Sequence, residues 1–150
     1  MLLRQENKSD AQDIKVFPGF TEMDRGAWCG LTIGEIGEDT MERFNDCDES
    51  VTPEGGESYP GLKERVLAAR DELLAMTDEG NASAVVSHLQ VTRSMLSDAL
   101  DIPVKGMSTL KVATASITCI DVDSATGAQT VHFQSFKPEA GLVKSYDGAN

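Results

Sequence analysis

Val85-Val86-Ser87-His88, running directly into Leu89-Gln90-Val91-Thr92-Arg93-Ser94-Met95-Leu96, constrains this chain more than any other segment. A short apolar run reads as a buried strand, here Ser83 to Ser87, and the apolar spacing after it reads as an amphipathic helix, Leu89 to Leu100. Asp101 and Pro103 stop that helix. A strand that hands over to a helix places His88 where α/β sheets bind ligands, beside amides that face anions. An imidazole there can hydrogen-bond an anion or move a proton near neutral pH. The alternative is a half-buried histidine satisfied by backbone carbonyls, and position alone leaves both open.

The flanking segments fill out an α/β layered domain. Ile14 to Phe17 alternates as a short strand closed by Pro18-Gly19, and residues 1–12 read as the polar end of a helix. Phe20 to Leu31 combines turn residues with the sole tryptophan, Trp28, which suggests an ordered functional loop. Thr32 to Phe44 has a helical pattern interrupted by glycines, and Asn45 to Pro60 is acidic and loop-like. Gly61 to Met76 is the clearest helix, with Leu62, Val66, Ala69 and Leu73 at three- and four-residue spacing. Ala115 to Asp123 and Thr130 to Phe136 read as a hairpin turning at Gly127, and the tail from Pro138 as loop.

Charge narrows the function classes. Twenty-five acidic residues against 13 basic ones give a formal net charge of −12, which repels a phosphate backbone and argues against a nucleic-acid partner. No apolar stretch has the length of a membrane span, and the amino terminus turns polar too soon for a signal peptide. Cys29, Cys47 and Cys119 form no paired motif and match no zinc signature. A cytoplasmic chain without metal or cofactor is the resulting expectation.

Three further positions carry candidate chemistry. Glu22 stands among Phe20, Met23 and Trp28, and an apolar setting would suit it to act as a general acid. Its bland reading is an exposed loop glutamate. Gly55-Gly56-Glu57-Ser58 precedes the clearest helix; Ser58 or Glu57 as a cap is the better reading, since the spacing is that of no phosphate loop. Arg25, Arg65 and Arg93 are the cations best placed to compensate anions, while His132 reads as structural.

Four blocks, in order, resemble the histidine phosphatase superfamily, the phosphoglycerate mutase-like proteins. Phe20-Thr21-Glu22-Met23-Asp24-Arg25-Gly26-Ala27-Trp28-Cys29-Gly30-Leu31-Thr32 is similar to the family's L-x-E-x-D-x-G-x-W-x-G-L-T loop. Gly55-Gly56-Glu57-Ser58 with Arg65 resembles its G-G-E-S…R segment, and Val85-Val86-Ser87-His88 through Arg93 its V-V-S-H-x-x-x-x-R block. Ala113-Thr114-Ala115-Ser116-Ile117 resembles the strand that follows. Singly these are weak; in order they are specific.

The resemblance implies a three-layer α/β sandwich with a mostly parallel sheet, and phosphoryl transfer from a small phosphorylated metabolite through a phosphohistidine. It implies that His88 and Glu22 are catalytic, His88 polarising the phosphoryl group and Glu22 protonating the leaving oxygen. Leu89, through its amide, and Arg25 would bind substrate. Leu89 stands where the family has glycine, and His88 to Arg93 is slightly nearer the sugar-bisphosphatase members.

One family element is absent from the sequence. Neither histidine, His88 or His132, lies in an Arg-His-Gly motif, which in the family holds the nucleophile. Leu3-Arg4-Gln5 mimics the motif's start, but only seventeen positions separate Gln5 from Glu22. That is too few for the crossover helix and second strand between. The expectation is a single domain over residues 1–150, incomplete at its amino-terminal end. Unpaired edges would then favour self-association into a homo-oligomer. Two classes remain open beside an unrelated α/β domain: a phosphatase or mutase, and an inactive phosphate-binding or regulatory module.

Overall fold

Helix α3, Tyr59–Ala75, organises the protein in the computed structural model, which describes residues 14–138. Residues 1–13 and 139–150, including the helical reading of 1–12 and most of the tail, lie outside the described residues. Ser58 starts α3: its Oγ accepts a hydrogen bond from the Gly61 N–H at 3.2 Å, and Pro60 fits the first turn. Tyr59, Leu62, Val66 and Ala69 then fall on one buried face.

Helix α4, Leu89–Ala99, packs against that face with Val91 and Leu96 buried. Ser94 and Ser97, also buried, donate their hydroxyls to the Gln90 and Ser94 carbonyls of their own helix. Small, internally satisfied side chains let the two helices approach. Gly19 permits a similar approach of the Pro18–Phe20 turn, since a β-carbon there would lie 2.3 Å from Ala69 Cβ.

The expected single helix over Thr32–Phe44 is two: α1, Ile33–Ile36, and α2, Glu38–Asn45. Gly37, at φ +103, breaks the run, because that backbone leaves the helical region. From α2, Phe44 enters the core between Trp28, edge-on at 5.1 Å, and Tyr59, also at 5.1 Å. Cys47, Val51 and Met107 close this cluster.

A hairpin of β1, Ile117–Val122, and β2, Gln129–Phe136, is the one sheet among the described residues. It is antiparallel, pairing Val122 with Gln129 and Ile117 with Phe136. Asp123 Oδ1 gathers the Ala125 and Thr126 amides, and Gly127 at φ +72 completes the turn. Asp98 of α4 joins this hairpin to α3, accepting from Arg70 and, at 2.7 Å, from Gln129.

Two of the expected strands are not paired. Ser83–Ser87 and Ile14–Phe17 have no ladder partner among the described residues, and the parallel sheet is not formed there. Val86 is 98% exposed, against the buried strand expected there, and Ile14 and Val16 of the alternating segment are 95% and 87% exposed. The apolar pattern is genuine; burial requires a neighbouring strand to supply the ladder and cover the faces. No helix among the described residues is long and apolar enough to cross a membrane.

Candidate active site

One hydrogen bond ties the segments of two candidates together, although His88 and Leu89 do not line the cleft that Glu22 lines. Ser87 Oγ donates to the Phe20 carbonyl at 2.6 Å, across 67 residues of sequence. It docks the start of α4 beside the loop that carries Glu22. His88 is the N-cap residue of α4, in extended backbone, and its own carbonyl accepts from the Thr92 amide at 3.1 Å. Its imidazole is exposed and joins no hydrogen bond among the described residues. The half-buried, carbonyl-satisfied histidine is therefore not what is found. Leu89, 39% exposed, opens the helix, so its amide is one of the first-turn donors without a helical acceptor.

Glu22 lines an open cleft of about 400 Å³ with Thr21, Asp24, Gly56, Glu57 and Arg65. This setting is polar, which corrects the apolar one expected from Phe20, Met23 and Trp28. Phe20 and Met23 turn into the core instead, and Trp28 packs edge-on against Phe44. Glu22 Oε1 accepts from the Met23 amide at 2.8 Å. A larger groove, about 630 Å³, lies between Lys15–Gly19 and Ala68 and Ala69 of α3 with the following Met76, but it holds neither His88 nor Glu22.

Two glycine-bearing loops form the floor of the cleft. Ala27 donates to the Glu54 carbonyl and Glu57 to the Asp24 carbonyl, both at 2.9 Å. Backbone meets backbone here: a β-carbon on Gly26 would lie 2.3 Å from Glu54 O, and one on Gly56 2.9 Å from Asp24 O. Asp24 Oδ1 accepts from the Gly26 amide at 2.8 Å and shapes the turn. The two motifs, about thirty residues apart in sequence, are thus halves of one clasp. Capping explains Ser58 alone; Glu57 serves the clasp and an ion pair with Arg65.

The arginines divide differently from expectation. Arg25 lies over the Phe44 ring at 5.2 Å and does not line the Glu22 cleft. Arg93 donates to the Leu110 and Ser108 carbonyls at 2.9 and 3.2 Å, tying α4 to the turn over Val104–Thr109. Arg65 is committed to Glu57 and to carbonyls of the Glu22 loop. Glu57 stands only 8 residues before it, but its partners at Pro18 to Thr21, 44 to 47 residues away, leave no mark in the sequence. His132 pairs across the hairpin with Asp121 at 3.5 Å, both largely exposed.

The sequence profile of the histidine phosphatase superfamily, branch 1, matches residues 3–134. The chain belongs to this superfamily. A bifunctional protein of Mycobacterium tuberculosis is 39% identical to it over 93 residues, 61% of this chain and 25% of that protein. The chain thus spans about a quarter of that relative's length. Among solved structures, YhfR of Bacillus stearothermophilus aligns with a TM-score of 0.71 at 22% identity, over 80% of this chain and 60% of its own. The α-ribazole phosphatase of Shigella flexneri aligns at 0.67 and 22% identity, over 85% and 63%. A mycobacterial glucosyl-3-phosphoglycerate phosphatase bound to inorganic phosphate aligns at 0.65 and 23% identity, over 79% and 63%. These likenesses carry the fold, and this histidine phosphatase domain covers under two thirds of each structure.

Proposed function

We propose that this histidine phosphatase domain binds the phosphoryl group of a small phosphomonoester at the start of α4. His88 donates to a phosphoryl oxygen, the Leu89 amide donates to a second, and Glu22 protonates the leaving oxygen. The Ser87–Phe20 hydrogen bond carries this reading, because it ties the residue before His88 to the loop of the carboxylate. Similarity to phosphatases of small phosphorylated compounds supports the substrate class. Arg25 binds substrate in this scheme only after leaving the Phe44 ring. The domain acts in the cytoplasm and without nucleic acid.

The nucleophile is the open element. With no Arg-His-Gly among the 150 residues, a phosphohistidine needs a strand from outside this sequence, and so does the parallel sheet of the full α/β sandwich. The exposed Ile14–Phe17 and Val85–Val86 segments would pair with it, or self-associate in its absence. A second reading is a phosphate-binding module that transfers nothing, since the donors of His88 and Leu89 need no nucleophile to hold an anion.

Hydrolysis of a generic phosphomonoester by the purified chain separates the two. Turnover above background that disappears in His88→Ala establishes the enzyme. Equal, negligible rates for both leave binding as the function. Turnover that persists unchanged in His88→Ala and in Glu22→Gln contradicts the assigned site.

A further inference from the structure

Arg65 turns most of its donors toward the protein. Its Nε and Nη2 donate to the two oxygens of Glu57 at 2.8 and 2.7 Å, a planar two-point pair. Both side chains are largely buried, at 28% and 19% exposure. The Glu57 hydrogen bond is the main reason the guanidinium is held above its ordinary value. Nη1 turns the other way and donates to Gly19 O at 2.9 Å, Thr21 O at 3.2 Å and Thr21 Oγ1 at 3.3 Å. Meanwhile the Glu57 amide donates to Asp24 O at 2.9 Å.

The chain from Gly19 to Asp24 is therefore gripped at both ends by one ion-paired unit, with Glu22 between the grips. A phosphate-binding arginine keeps donors free for the anion. Arg65 directs Nε and one Nη2 hydrogen to a carboxylate and Nη1 to the Gly19–Thr21 segment, which leaves a single Nη2 hydrogen for an anion unless Glu57 is displaced. We propose that Arg65, clamped by Glu57, is a positioning residue that fixes the Glu22 carboxyl at the cleft. The proposal rests on Glu22 being the acid of the site. It also requires arginine itself, because a lysine cannot make the two-point pair and reach the carbonyls together.

The test is NMR on the intact chain, reading the Glu22 carboxyl carbon resonance at fixed pH and amide exchange at Met23, whose N–H bonds Glu22 Oε1. Val66, in the α3 core, reports global opening. In Arg65→Gln, Arg65→Lys and the milder Glu57→Gln, the Glu22 resonance should move, and Met23 exchange should rise roughly tenfold relative to Val66. Arg70→Gln, which removes an α3 arginine paired with Asp98 instead, should leave both unmoved. The exchanged pair, Glu57→Arg with Arg65→Glu, restores the charges without the carbonyl donors and should not recover the resonance.

An unmoved Glu22 resonance in the Arg65 variants and in Glu57→Gln overturns the proposal. So does equal acceleration at Met23 and Val66, or full recovery in the exchanged pair. None of these readouts needs turnover. Failure of Glu22→Gln to alter hydrolysis would instead overturn the acid assignment, leaving the local measurement to stand or fall by itself.

Discussion

Alanine at Gly26 would place a β-carbon 2.3 Å from Glu54 O and 2.4 Å from Gly56 N. Both are backbone atoms, so neither moves aside as a flexible side chain would. The position also has φ +47, where an L-residue costs about 1 kcal/mol. Relief of the clash requires the two loops to part, which stretches the Ala27–Glu54 and Glu57–Asp24 hydrogen bonds, both 2.9 Å. At about 1 kcal/mol each, these raise the total to roughly 3 kcal/mol. Gly55 is the internal control: its φ is +66, but a β-carbon there meets nothing within 4 Å. Gly55→Ala should therefore lose only the conformational part, about 1 kcal/mol. Urea unfolding of both variants, read at equal m-values, should separate them by about 2 kcal/mol. Stabilities within about 0.5 kcal/mol of each other would refute the clasp as the reason for these glycines.

Other expectations follow from single features. Burial would raise Asp98, but hydrogen bonds from Arg70 and Gln129 outweigh it and hold the carboxyl below its ordinary 3.8. Its contribution is thus full above that value and lost as pH falls through the lowered folded value; acid unfolding monitored at the hairpin should shift to higher pH in Arg70→Gln. The Tyr59 hydroxyl is buried with only the Cys47 thiol, a weak acceptor, beside it among the described residues. Tyr59→Phe should consequently match or exceed wild-type stability in a thermal melt, and a loss above about 1 kcal/mol would reveal a stronger partner. Val86→Lys, at a side chain 98% exposed, should change stability by less than about 0.5 kcal/mol. Light scattering should show less self-association than wild type, and an unchanged profile would argue against that edge as the sticky surface.

Local patterns were legible where the local chain decides the outcome. The spacing of Leu62, Val66, Ala69 and Leu73 located α3 within two residues at its start and one at its end, and of the two expected caps, Ser58 and Glu57, Ser58 is the one used. Leu89 and the Asp101-Pro103 stop bounded α4, and Gly127 marked the hairpin turn. Ser83–Ser87 was not decided locally. Its β-branched run resembles a core strand, yet a strand is buried only if another strand lies beside it. The site divides the same way. His88 and Glu22 were visible from position and resemblance, whereas the polar surroundings of Glu22 depend on Glu57 and Arg65 arriving from distant sequence. Arg25 and Arg93 were indistinguishable from anion ligands as letters, since only packing reveals a ring or a carbonyl as the partner.

Titration of the purified chain with inorganic phosphate, followed at the Leu89 amide and the His88 imidazole by NMR, tests the central claim most directly. A hydrogen bond to a charged oxygen contributes about 1.5–3 kcal/mol, so His88→Ala should weaken binding roughly ten- to a hundredfold. A saturable shift is expected at Leu89, with an affinity lower by that factor in the variant. No saturable shift, or the same affinity with and without the imidazole, would contradict the claim.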